Sequence, residues 1–361
     1  MLFRVLDKGE KEMKKLLSVL LCLVLLSGCL SNNYDNGELN IFMPGEYISD
    51  EVVEQFEYEY GVKVKITLFD SNEAMYTKLL ANTSSYDIII PSDYMIERLI
   101  SEGYLQELDK SKLTCLDYLY DGVKNMDYDP DNDYSIPYFW GNGGIVYDPE
   151  IVDEEDVINQ GWAVLKNTKY KGQIYMYDSI RDIFMVAFKS LGYSMNTNDE
   201  NEINEAYQWL VDVATTMSPA YATDECIGGL AYGEKAMGFM YSGDAAYILS
   251  ENENMRFYAP KEGTNYFVDA MVIQKGAKNV ENAYKFINYI TDYDAAFENS
   301  LYVGYASVNK EVLNDLTLPD GDFDGNEAYI PRDKNENDEV FHNNEKQLSE
   351  ISELWVKVKN H

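Results

Sequence analysis

Histidine is almost missing from this chain: His342 and His361 are the only two in 361 residues. No His-x-x-His, Cys-x-x-Cys or His-Glu-x-x-His spacing occurs either, so a zinc site is not indicated. Basic residues are scarce, 29 against 63 acidic, and the net charge is −34. A surface this negative repels nucleic acid and anionic headgroups and gathers cations. Acidity alone reads first as a soluble extracellular surface and only second as a sign of a cationic ligand. No Gly-x-x-x-x-Gly-Lys, no strand-linked Gly-x-Gly-x-x-Gly and no Gly-x-Ser-x-Gly is present. Neither nucleotide binding nor a nucleophile elbow is suggested. Carboxylates are plentiful, but nothing singles out one pair for glycoside hydrolysis.

Long apolar runs are also lacking, with one short exception. Leu16 to Leu26 is apolar, follows Lys14 and Lys15, and leads through Ser27 and Gly28 into Cys29. A membrane span needs about 20 apolar residues, so this order reads as a secretory signal. Leu26-Ser27-Gly28-Cys29 resembles a bacterial lipobox, in which the cysteine carries lipid. Residues 13–28 are therefore read as a lipoprotein signal peptide, and 29–37 as a lipidated tether. Residues 1–12 hold three acids, Asp7, Glu10 and Glu12, which suit no signal. We read translation as starting at Met13, because codons for Lys8-Gly9-Glu10 can spell a ribosome-binding site. Removing residues 1–28 takes away five basic and three acidic residues and leaves 24 against 60, a net charge of −36. Of the four cysteines, only Cys115 and Cys226 then remain, as a disulfide or as two buried thiols.

The remaining length suggests two domains. Leu39 to Met43 reads as a strand, Val52, Val53, Phe56 and Tyr60 as a helical face. Val62, Val64, Ile66 and Leu68 alternate as in a half-buried strand. Met75, Leu79 and Leu80 fit a helix, Asp87 to Pro91 a strand buried on both faces, and Asp93 to Glu102 a helix. This alternation argues for an α/β fold. Further strands are expected at Gln173–Met176, Met237–Tyr241, Met255–Tyr258 and Val268–Gln274. Helices are expected around Ile180–Leu191, Ala283–Ile290 and Ile351–Val358. Pro319 to Glu339 reads as a long surface loop.

Two aspartate-rich stretches approach a calcium loop. In 127–133 Asn132 stands where glycine is wanted; in the stretch from Asp320, Pro331 takes the twelfth position. Acidic surface turns explain both. Gly141-Asn142-Gly143-Gly144 has no phosphate-binding lysine and reads as flexible backbone between domains. Acids beside aromatics recur at strand ends: Pro44-Gly45-Glu46-Tyr47, Pro91-Ser92-Asp93-Tyr94, Tyr241-Ser242-Gly243-Asp244, Tyr266-Phe267-Val268-Asp269 and Gly304-Tyr305. Ligands of open α/β sheets sit beyond the carboxyl ends of strands. Carboxylates walled by rings would suit an organic cation, although each such pair taken singly is more often a turn.

Longer segments carry a resemblance. Ser71 to Leu79, Tyr86 to Ser92, Asn132 to Gly141, Tyr170-Lys171-Gly172, Leu191 to Ser194 and Gly304-Tyr305 resemble the bacterial spermidine/putrescine-binding lipoproteins of ABC importers, of the type II periplasmic-binding-protein family. The resemblance covers nearly the whole chain after Cys29. It implies a two-lobed α/β clamp with a hinged cleft, one lobe of 37–143 and 268–306, the other of 144–267 and 307–361. It implies a monomer on the outer face of the cytoplasmic membrane or in the periplasm, without catalysis or cofactor, delivering polyamine to an ABC permease and its ATPase. Asp269 matches the family's amine-binding aspartate, Asp182 an acidic position on the helix after Asp178, and Asp244 the acid of putrescine-type members. Glu46, Tyr47, Ser92, Tyr94 and Tyr305 match polar and aromatic walls. Tyr241 and Phe267 stand where tryptophans are common. Pro44 replaces a wall tryptophan, Ser179 an aspartate, and Phe341 and His342 compete for a late glutamine position. The alternatives are another small solute in the same clamp, or a lipid-anchored glycosidase.

Overall fold

The structure, a computed structural model, describes residues 34–81, 86–330, 332 and 335–361. The start at Met13, the signal peptide, Cys29 and the first part of the tether lie outside the described residues.

The chain opens on the expected alternation: β1 (Glu38–Pro44), α1 (Asp50–Tyr60), β2 (Lys63–Phe69), α2 (Asn72–Ala81), β3 (Ile88–Ile89) and α3 (Asp93–Ser101). β1 pairs in parallel with β2 and with β3. Ile41, Phe42, Ile88 and Ile89 are accordingly covered on both faces. Gly61 ends α1 in the left-handed region at φ 62°, where its N–H reaches the Glu57 carbonyl. The alternation read into β2 fails at its end. Leu68 is 53% exposed, and Phe69 takes its place in the core. β2 lies at the edge of the sheet, where only one neighbouring strand constrains it. In α2, likewise, Met75 and Leu79 are buried one turn apart while Leu80 faces solvent.

After the long strand β4 (Ser135–Tyr147) come α4 (Glu154–Gln160), β5 (Ile174–Tyr177), α5 (Ile180–Ser190), α6 (Glu200–Met217), β6 (Ala220–Ala222), α7 (Glu225–Ala231), β7 (Met237–Tyr241), α8 (Ser242–Glu251) and β8 (Arg256–Tyr258). The chain returns through β9 (Tyr266–Ile273), α9 (Val280–Thr291), α10 (Tyr293–Val303), β10 (Ala306–Ser307), α11 (Lys310–Thr317) and α12 (Glu345–Val358). The strand order is β2-β1-β3-β9-β4-β7-β5-β6, with β8 and β10 also beside β4. β4 joins the two halves. Ser135 to Asn142 pairs with β9, and Gly143 to Tyr147 pairs with β7 and β8. In the far half β5 runs parallel to both β6 and β7.

The glycines of β4 form a packed strand and not a loose linker. Every residue of the strand is buried. A Cβ at Gly141 would meet Ser242 Oγ at 2.2 Å, one at Gly143 the Phe239 ring at 2.5 Å, and one at Gly144 the Phe257 ring at 2.4 Å. Glycine is there so that side chains can rest directly on the strand. The aspartates before β4 have a structural task as well. Buried Asp129 accepts hydrogen bonds from the N–H groups of Asp133, Tyr134 and Ser135 and from the Ser135 hydroxyl. The stretch 319–339 holds no helix or strand among its described residues, yet it is not all surface: Ala328, Tyr329 and Asp338 are buried. Cys115 and Cys226 are free and buried. No helix among the described residues is long and apolar enough to cross a membrane.

Candidate functional site

The parallel strands β1, β3, β5 and β7 end at one cleft of about 740 Å³. All ten residues nominated from sequence line it: Glu46, Tyr47, Ser92, Tyr94, Asp182, Tyr241, Asp244, Phe267, Asp269 and Tyr305. Glu46 is exposed at its rim, where the Tyr302 hydroxyl donates to it at 3.4 Å.

Asp269 projects from the middle of β9, opposite Phe139 of β4. The Tyr47 hydroxyl donates to its Oδ2 at 2.7 Å. Its Oδ1 is shut off from solvent and has no hydrogen-bond partner. Burial raises its pKa to about 6, against the Tyr47 and Ser92 hydroxyls, which favour the charged form. Tyr47 is itself fixed just after β1. Its carbonyl accepts from the Tyr138 hydroxyl at 2.6 Å, and Asn299 donates to that hydroxyl at 2.9 Å.

The opposite wall uses helix starts. Asp182 lies in the first turn of α5 and accepts a hydrogen bond from the Tyr241 hydroxyl. Burial raises its pKa, while the Ser179 and Tyr241 hydroxyls and the charge of Arg181 oppose the rise. Asp244, in the first turn of α8, accepts from the Tyr305 hydroxyl at 3.2 Å. Burial raises its pKa to about 7; Tyr305 opposes this and the nearby charge of Asp224 adds to it.

Rings connect these acids. Tyr305 stands edge-on to Tyr47 at 5.9 Å and to Phe267 at 5.8 Å, and Phe267 meets Tyr241 at 5.1 Å. Gly243 makes this approach possible, since a Cβ there would lie 2.2 Å from the Tyr305 ring.

The cleft also holds residues the sequence reading missed. Asp93 is buried in the first turn of α3, with Oδ1 taken by the Tyr94 N–H at 2.7 Å and Oδ2 unpartnered. Burial holds its carboxyl well above the usual range, and the charge of Asp269 pushes the same way. It stands in the segment already quoted, between Ser92 and Tyr94, but an acid at a helix start is ordinarily a dipole partner. Tyr177, Arg181, Asp224 and Asn265 also line the cleft. Asp178, beside Ser179, turns away to Trp355 and Lys359. Phe341 lines the cleft while His342 faces Glu97. Among the described lining residues there are seven carboxylates and one cation, Arg181.

Residues 51–323 match the family described as bacterial extracellular solute-binding protein. The chain belongs to that family. This solute-binding protein is 36% identical to the spermidine/putrescine-binding periplasmic protein of Escherichia coli strain K12 over 298 residues, 80% of this chain and 85% of that one. It is 31% identical to a putrescine/cadaverine-binding protein of Pseudomonas aeruginosa over 286 residues, 76% of this chain and 80% of that one. Among solved structures it is similar to a spermidine/putrescine ABC transporter substrate-binding protein of Streptococcus pneumoniae. That likeness has 35% identity and a TM-score of 0.78, and covers 90% of this chain and 98% of that one. The fold of the family member described above is thus that of the two-lobed periplasmic binding proteins.

Proposed function

We propose that this solute-binding protein captures a polyamine, putrescine or spermidine, outside the cytoplasm and delivers it to an ABC permease. The observation that carries the reading is the unpartnered, buried Asp269 Oδ1 in a cleft lined by seven carboxylates and one cation. The identity to the polyamine-binding relatives supports it. An alkyl amine has a pKa near that of lysine, about 10, so every nitrogen enters charged. A buried ammonium without a counter-charge would cost several kcal/mol, and the acids of the cleft meet that need. The rings cover the methylenes and attract the cation through their faces. Amine spacing then sets selectivity: nitrogens lie roughly 6 Å apart across four carbons and roughly 5 Å across three.

In this reading Asp269, Asp182 and Asp244 take the amines. Tyr47, Tyr94, Tyr241, Phe267 and Tyr305 form the walls, and Ser92 and Glu46 lie at the edge. The lobes are 37–143 with 268–306, and 144–267 with 307–361, and they close by a hinge. The passage of β4 from one half-sheet to the other near Gly143 supports the first boundary. The protein binds without turning its ligand over, acts as a monomer, and is held to the membrane by lipid on Cys29.

Calorimetry on the chain from residue 29 with Cys29→Ser tests the reading, using putrescine, cadaverine, spermidine, spermine, lysine and a sugar panel. We expect saturable binding of at least one polyamine and none of the sugars. Absence of binding by every amine would overturn it.

A further inference from the structure

The wall carried by α2 and α3 touches the wall carried by α5 and the chain before α12 along one edge of the cleft. Arg181 Nη2 lies 3.1 Å from Glu73 Oε1. Its guanidinium stacks on the Tyr94 ring, 4.0 Å from the centroid. The Tyr94 hydroxyl donates to the same Glu73 oxygen at 3.3 Å. Farther along α3, Glu97 accepts the Asn343 N–H at 2.6 Å and lies 3.3 Å from His342 Nδ1. Arg98 Nη2 pairs with Glu345 at 2.7 Å. Apart from the Tyr94–Glu73 bond, which lies within one lobe, each contact joins an element of one lobe to an element of the other.

We infer that Arg181, Glu73 and Tyr94 form an interlobe clasp that holds the cleft shut over its ligand, with the Glu97 and Arg98 contacts extending it. The inference rests on the two-lobed polyamine reading. A cation in the wall of a cation-binding cleft opposes its own ligand by Coulomb repulsion, so Arg181 needs another task. Its partners define that task. A guanidinium presents a flat face to the ring while its edge pairs with the carboxylate, and an ammonium, a compact point charge, has no such face. Tyr94, which that guanidinium covers, is itself a wall of the cleft, so closing the clasp completes the ligand's enclosure. Glu73 is not among the lining residues of the cleft, so Glu73→Gln reads the clasp alone, whereas Arg181→Met also removes a charge that favours ionised Asp182. Arg181 is a positioning residue in this scheme, acting through Tyr94 and lobe closure.

The test uses Arg181→Met, Glu73→Gln, the double variant and Arg181→Lys, each in the full chain from residue 29. Dissociation of putrescine and spermidine is followed by stopped flow, and the ligand-free radius of gyration by solution scattering. Glu73→Gln is expected to speed dissociation of both amines by the same factor, roughly threefold to tenfold. The double variant should go no further than Arg181→Met, and Arg181→Lys should not restore the wild-type rate. Ligand-free Arg181→Met should have a larger radius than wild type. Unchanged off-rates, additive effects or a loss confined to one amine would overturn the clasp. A wild-type protein that binds neither amine would instead refute the polyamine reading. The scattering comparison still judges the clasp in that case, since an unchanged radius would end it.

Discussion

Two carboxylates of the cleft share one kind of partner and are built in opposite ways. Asp269 rises from the middle of a strand and takes the Tyr47 hydroxyl; Asp182 starts a helix and takes the Tyr241 hydroxyl. A strand offers its side chain no net dipole. The first turn of α5 presents free N–H groups that favour an anion, and the adjacent Arg181 charge acts in the same sense. The protein thus already stabilises the charge on Asp182, whereas it leaves that of Asp269, with one bare oxygen, to the ligand. Removing each charge breaks or sharpens the contrast. Asp269→Asn should weaken polyamine binding by about 2–5 kcal/mol, because an ammonium loses its buried counter-charge. Asp182→Asn should fall at the lower end of that range, about 2 kcal/mol, because the start of α5 and Arg181 already offset part of the charge on Asp182. Calorimetry giving the reverse order would end the distinction.

Acidity probes the same contrast with a smaller effect. The empty protein holds protons on Asp269 up to about pH 6 and on Asp244 up to about pH 7, against an ordinary carboxyl near 3.9. A cationic ligand needs both groups ionised. Binding should therefore release protons near neutrality, and affinity should fall as pH drops from about 8 to 5, by at most about tenfold per unit for each group below its pKa. Stability of the empty fold runs the other way. With the folded pKa values raised, the unfolded chain ionises first, so this contribution is lost as pH rises from about 4 to 7. Asp244→Asn should flatten the upper part of the affinity profile and Asp269→Asn the lower part. Titrations in two buffers of different ionisation enthalpy count the protons. Identical heats in both would remove the raised carboxyls from the binding step.

Much of this architecture was legible beforehand because both periodicities are strong where two faces are buried, as in Ile88-Ile89-Ile90 or Phe184 and Phe188 of α5. It failed where one neighbour decides the matter. Leu68 on the edge strand looked like core, and nothing local says that Phe69 wins. The glycines of β4 read as flexible backbone between domains because composition cannot show that Phe239 and Phe257 press on the backbone from distant elements. At the cleft, acids beside rings at strand ends pointed to segments that hold nine of the ten nominated lining residues, while Asp182, with no ring beside it in the sequence, came only from the family resemblance. Asp224 was invisible, since it sits in an ordinary polar turn before α7 and reaches the cleft only through the fold. Asp93 was hidden by its plausible role as a helix-start acid, and Arg181 by its wrong sign for the expected ligand.

The hydroxyls that hold the two acids give the finest measure of the contrast. Tyr241→Phe keeps the ring that meets Phe267 at 5.1 Å and removes the donor to Asp182. The helix start and Arg181 still favour the charge on Asp182, so the loss in affinity should stay near 1 kcal/mol. Tyr241→Ala removes the wall as well and should reach roughly 1–2 kcal/mol. Tyr47→Phe is the matched change on the strand side. Of the groups that favour the charge on Asp269, only the Ser92 hydroxyl would then be left. Its pKa should rise further and the loss should exceed that of Tyr241→Phe, most visibly below pH 7. Equal losses for the two phenylalanine variants at every pH would mean that strand and helix hold their carboxylates alike, and that local backbone does not decide which acid waits for the ligand.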